Sequence, residues 1–130
     1  MKMYFASCYS DKEMLLKYAE ELESKTSDKV ISSWLRDKEG DGFGETTDVK
    51  RLAKEALKDR VDVLYCDMIV VFTHEAPTKG GRYVEMGMAI ASGKSISIIG
   101  PRSNVFAFLP EVTQYHNWEE FLTQRMIFSV

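Results

Sequence analysis

Residues 78 to 89 read TKGGRYVEMGMA, and within them a single carboxylate, Glu85, stands among apolar neighbours. Gly80 and Gly81 open what the pattern predicts to be a helix, with the cations Lys79 and Arg82 at its start. The first N–H groups of a helix have no intrahelical acceptor, so this turn can hold an anion or an ionised side chain. Glu85 follows Gly81 by about one helical turn, where the helix dipole and the two cations favour its charged form. Val84, Met86, Met88, Ala89 and Ile90 leave the helix little polar face, and a mostly buried helix rarely keeps a carboxylate without a task.

The elements that must position this segment follow from periodicity. KMYFAS reads as a buried strand, followed by a helix to about Ser24 with a capping-box pattern of Ser10 and Glu13. KVISSWL reads as a second strand and leads through an acidic, glycine-rich loop to a long helix. There Val49, Ala53, Ala56, Leu57, Val61 and Leu64 form one apolar stripe. DMIVVFT and SISIIG are continuous apolar strands flanking the GRYVEMGMAIASG helix, which Gly93 closes; a short strand near VTQYH and a helix from Asn117 finish the chain. Such alternation predicts a single α/β domain over residues 1 to 130, flavodoxin-like (Rossmann-like), with a parallel sheet of about five strands and helices on both faces. Ligands of such sheets bind beyond the carboxyl ends of the strands.

Composition narrows the function. With 130 residues, 45% apolar and 28% charged, the chain suits one globular core, and its net charge of −3 argues against a nucleic-acid polymer as partner. The opening apolar run is too short for a signal peptide, and no run approaches the roughly 20 apolar residues of a membrane span, so a cytoplasmic, membrane-free protein is expected. Cys8 and Cys66 are expected as free thiols, and with the distant His74 and His116 they do not form a zinc set by spacing, so no metal is expected. SGKS at 92 to 95 fails as a phosphate loop because its upstream glycine, Gly87, is misplaced and a strand follows. DKEGDGFGETTD places Asp37, Glu39, Asp41, Gly42 and Asp48 near calcium-loop spacing but lacks the final bidentate Glu and an entering helix.

Four blocks, MYFASCYS, CDMIVVF, GGRYVEMGMAIASGKSISIIG and NVFAFLP followed by YHNWEEFL, together resemble the nucleoside 2-deoxyribosyltransferase family, especially its short members common in bacterial viruses. The resemblance runs in order along nearly the whole chain, and its most specific part is G-G-x-x-x-E-x-G. It implies that Glu85 is the nucleophile that attacks the anomeric carbon of a 2′-deoxyribosyl group. It also implies that Asp67 contacts the departing base and aids its protonation, and that Ser7, Tyr9 and Ser10 bind the sugar and orient the nucleophile, with Tyr9 supplying the hydroxyl near Glu85. Trp34 and Phe43, flanking the loop after strand two, could stack on a base; core packing is the alternative role for Trp34. Asn104 lies in the loop after strand four, where it could reach a site. Family transferases carry an aspartate six residues before the nucleophile, where this chain has Lys79; related nucleotide N-glycosidases have a phosphate-binding hydroxyl there. The lysine turns the expectation toward a deoxynucleoside 5′-monophosphate. No cofactor is implied. Active sites in the family are commonly completed by a neighbouring subunit, and the apolar tail RMIFSV agrees with a homodimer or higher oligomer. Two other readings remain: a non-catalytic protein that sequesters a nucleotide on the same fold, and a flavin carrier, which the lack of a Ser/Thr/Gly-rich loop after strand one disfavours.

Overall fold

The structure is a computed structural model that describes residues 1–37, 48–74 and 80–128. Five strands form one parallel sheet: β1 (Lys2–Ala6), β2 (Lys29–Val30), β3 (Met68–Phe72), β4 (Ser95–Ile99) and β5 (Val112–Tyr115). Their order across the sheet is β2-β1-β3-β4-β5. This is the flavodoxin-like arrangement expected from the sequence, and its strand order reverses between β1 and β3, the point at which such folds bind ligands. In register, Tyr4 of β1 sits beside Ile69 of β3 and Phe5 beside Val70.

Alternation along the strands divides the core between the two faces of the sheet. Met3, Phe5, Val70 and Phe72 pack on one side with Leu15, Ala19 and Leu22 of α1 (Lys12–Lys25) and Trp118, Phe121 and Leu122 from α5 (Trp118–Phe128). On the other side Tyr4, Ala6, Ile69 and Val71 meet Val63 of α3 (Val49–Tyr65) and Met86 and Ala89 of α4 (Gly81–Ala91). Each large apolar side chain so buried contributes about 1.5–3 kcal/mol. A short helix α2 (Ser33–Arg36) links β2 to the segment before α3.

Three local expectations change. KVISSWL supplies only two strand residues before Ser32, whose Oγ accepts from the Phe5 amide at 2.6 Å, begins the turn into α2. Ser10 does not cap α1: the chain makes a 3₁₀ turn over Tyr9–Asp11 first, and Asp11 takes the cap position. The apolar stripe of α3 faces outward, with Val49, Leu57, Val61 and Leu64 all exposed, because the inward side of this helix carries Val63 and the half-buried carboxylates Asp59 and Asp62. Asp48 does cap α3, accepting from the amides of Lys50 and Arg51 at 3.0 and 3.4 Å. Among the described residues no helix is long and apolar enough to cross a membrane.

Candidate active site

Glu85 is half-buried on the side of α4 that meets the sheet, and the hydroxyl of Tyr4 donates a short hydrogen bond to its Oε2. Tyr4 is fully buried in the middle of β1, so the nucleophile candidate is tied to the core of the sheet. Burial, followed by the charges of Glu85 and Asp59, holds the Tyr4 phenol well above its ordinary pKa, so it remains the donor. Glu85 itself is pushed up to about 8, chiefly by burial; the Tyr4 bond works against the shift and the charge of Asp59 adds to it. Asp59 is raised to about 6 by burial and by its neighbours Asp62 and Glu55, with Lys58 opposing. Between those two values Asp59 is ionised and Glu85 holds the proton, so burial outweighs the helix dipole and cations that were expected to keep Glu85 charged. Two carboxyls with pKa values displaced upward and apart mark a candidate acid–base pair.

The residues expected at this site divide. Tyr9 does not supply the hydroxyl near Glu85; Tyr4 does, because its side chain projects from β1 toward α4, whereas the Tyr9 ring packs against Trp34 with centroids 6.2 Å apart. Asp67 lies exposed at the amino end of β3, where its carboxylate accepts from the Lys2 amide at 2.7 Å, and that bond holds its pKa down. It ties two strands together at the end of the sheet opposite to the carboxyl ends of the strands, and the aspartate that reaches Glu85 electrostatically is Asp59. Ser7 and Ser10 do occupy the turn after β1, with Ser7 donating to Asp11 Oδ2 at 2.7 Å and Ser10 Oγ lying 3.4 Å from Cys8 Sγ. Trp34 is a packing residue, half-buried against both cores, and its indole N–H donates to the Phe5 carbonyl at 2.9 Å.

Gly80, with φ 89°, adopts the left-handed conformation that glycine takes without a Cβ penalty, and it precedes the first turn of α4. A Cβ added to Gly80 or Gly81 would meet nothing within 4 Å among the described residues. Arg82 is buried rather than offered to a ligand, with one guanidinium nitrogen donating to the carbonyl of Phe72 at 2.7 Å. Asn104 caps a turn by accepting from the Phe106 amide at 3.0 Å. It lines a cavity of about 330 Å³ with Tyr83, Met86 and Phe106, beside α4. A second cavity, of about 420 Å³, lies at the carboxyl end of β2 between Ser32, Arg36 and Lys58. Glu85 lines neither cavity. Phe43 and Lys79 lie outside the described residues.

Sequence spacing also missed a meeting of side chains at the ends of β1 and β3. These strands are adjacent and parallel, so the turns that follow them converge, and Cys8, Asp11 and His74 come together there. His116 lies elsewhere, paired with Glu120 at 3.0 Å.

No family model matches the sequence, and no curated protein matches it. Solved structures do match the fold. A 2-deoxyribosyltransferase from the psychrotolerant bacterium Bacillus psychrosaccharolyticus superposes with a TM-score of 0.71 at 16% identity, over 94% of this chain and 90% of that one. A conserved protein from Enterococcus faecalis V583 gives 0.70 at 15% identity, over 100% and 99%. The CMP N-glycosidase BcmB of Clostridium botulinum gives 0.57 at 16% identity, over 95% and 97%. The chain thus has the fold of the 2-deoxyribosyltransferase, end to end.

Proposed function

We propose that the protein is a member of the nucleoside 2-deoxyribosyltransferase family that cleaves or transfers at the N-glycosidic bond of a 2′-deoxyribonucleoside or its 5′-monophosphate. The observation that carries this reading is the set of Tyr4, Glu85 and Asp59, in which a half-buried glutamate is anchored by a buried phenol and a second carboxyl acts on it electrostatically, so that between about pH 6 and 8 the two carboxyls hold one proton. The shared fold of a 2-deoxyribosyltransferase and a CMP N-glycosidase supports it.

In the proposed reaction Glu85 attacks C1′ with the oxygen that Tyr4 does not hold. The attacking form is the less populated one, with Glu85 ionised and the pair's single proton on Asp59. The electron pair of the C1′–N bond leaves with the base, which takes that proton, and a sugar ester on Glu85 remains. A second base or water then attacks C1′ from the face the first base left, giving its proton to the Asp59 carboxylate and releasing the Glu85 carboxylate. Developing positive charge on the sugar is stabilised by the carboxylate, and the Tyr4 phenol keeps that carboxylate in one orientation through both steps. Lys79, six residues before Glu85, is proposed to meet a 5′-phosphate.

Intact-protein mass spectrometry after incubation with deoxynucleosides, their monophosphates and CMP tests the reading. The expected result is released base and added sugar or phosphosugar mass that disappears in Glu85→Ala. Binding without base release from every substrate would favour a nucleotide-sequestering protein instead.

The outward stripe of α3 carries a separate expectation. Leu57, Val61, Leu64 and Tyr65 are 48–65% exposed on one side of a single helix, and a contiguous apolar patch of this kind marks an association surface. A homodimer or larger homo-oligomer is therefore proposed. Light scattering at working concentration should give at least twice the chain mass, and Val61→Asp should shift it toward the monomer; a monomeric wild type would end the proposal.

A further inference from the structure

The turn after β1 and the residue after β3 hold groups that the proposed chemistry does not use. Asp11 Oδ2 is approached by Ser7 Oγ at 2.7 Å, Cys8 Sγ at 2.9 Å and His74 Nε2 at 2.8 Å. The donor atoms of Cys8, Asp11 and His74 all lie within 4.8 Å of one another. Nε2 of His74 is shut off from water, and although it is close to Asp11 it has no aligned hydrogen-bond partner among the described residues. At 2.8 Å from the Asp11 carboxylate but poorly aligned with it, this nitrogen has its hydrogen-bonding capacity only partly met, and a bound cation would complete it.

We propose that Cys8, Asp11 and His74 form a binding site for a divalent transition-metal ion, zinc foremost. One sulfur, one nitrogen and one oxygen donor suit zinc, whereas calcium and magnesium take oxygen-only shells. Three protein ligands leave the fourth position of a tetrahedral ion to water. Donor atoms around a tetrahedral zinc stand about 3.5 Å apart given bonds of 2.0–2.3 Å, so the present contacts need open by less than an ångström. Both Cys8 and His74 stand in half-exposed turns that can make this adjustment. Ser7, donating to Asp11, would hold that ligand in orientation as outer hydrogen-bond partners of metal sites do.

On binding, the Cys8 thiol gives its proton to solvent and its sulfur lone pair to the ion. Asp11 gives a carboxylate oxygen, to which Ser7 already donates. His74 gives the Nε2 lone pair, and any proton on that nitrogen leaves to solvent. The site lies where the strand order reverses, beyond the ends of β1 and β3.

Cobalt(II) titration of the reduced, metal-stripped 130-residue chain tests the site. One equivalent should produce the intense visible bands of a tetrahedral ion and a near-ultraviolet thiolate-to-cobalt band, and zinc should erase both. Cys8→Ser should remove the thiolate band, and His74→Ala should weaken binding at least as much as the roughly 10–100-fold that an outer-partner change costs. Cys66→Ser should change nothing, since Cys66 is buried and its thiol is pushed up to about 11 by that burial. Binding should weaken as pH falls, because each ion must displace the thiol proton. A wild-type chain that shows no tetrahedral spectrum at one equivalent, or a thiolate band that survives Cys8→Ser, would overturn the proposal.

Discussion

Glu85→Gln should abolish base release and, at pH 8, melt at a higher temperature than the wild-type protein. Loss of a nucleophile costs on the order of 10⁴-fold or more in turnover. The stability gain comes from the same burial that shapes the site. In the unfolded chain Glu85 titrates near the ordinary glutamate value; in the folded protein it is raised to about 8. Between those values the native state holds a proton that the unfolded chain has released, so this group's contribution to stability falls as pH rises from about 4.5 to about 8. Glutamine keeps an oxygen for the Tyr4 hydroxyl and has no charge to bury. The variant should therefore gain on the order of a few kcal/mol at pH 8 and almost nothing at pH 4. Thermal melts of both proteins across this range decide it: a wild-type-minus-variant difference that does not change with pH would remove the buried-charge argument.

The second large effect concerns the proton. Asp59, at about 6, and Glu85, at about 8, hold two protons below the lower value, one between them and none above the upper. Attack needs Glu85 ionised and base departure needs Asp59 protonated, so only the singly protonated pair is productive, and within it the less populated form, because the proton rests mainly on Glu85. The profile of kcat/KM against pH should be a bell with limbs near those two values. Asp59→Asn removes the acid, which should lower kcat by about 10²–10⁴-fold. It also removes a charge that raises Glu85, so the surviving activity should rise along a single limb displaced to lower pH. An Asp59→Asn protein with an unchanged bell would show that the acid lies elsewhere.

The sheet was legible because its strands announce themselves: DMIVVFT and SISIIG are buried on both faces and carry almost nothing polar. Glu85 was legible for the complementary reason, as a carboxylate in a helix with little room for one. Tyr4 was passed over because, within KMYFAS, it reads as one more apolar strand residue. The available signal was that a phenol buried in the middle of a strand must find a partner for its hydroxyl. Asp59 was hidden differently. Glu55, Asp59 and Asp62 recur at helical spacing among lysines and arginines, which is how a solvated face looks, and the opposite apolar stripe looks like the core face. Periodicity gives the two faces of a helix but not which one turns inward when both are populated. Asp67 was singled out by the family resemblance, and the structure places it at the amino end of β3, bonded to the Lys2 amide.

The outward turn of the stripe on α3 also has a consequence for mutational tolerance. A typical surface helix has an idle side, where substitutions accumulate at little cost. Here one side of α3 holds Val63 and Asp59 against the sheet and the site, and the other presents Leu57, Val61 and Leu64 to a proposed second copy. Changes on either side would reach the same carboxyl, from within by packing and from without by loosening the helix that carries it. Freedom to vary is left to a narrow seam of charged residues such as Lys54 and Arg60, so this amphipathic helix should behave under random mutagenesis more like a core element than a surface one.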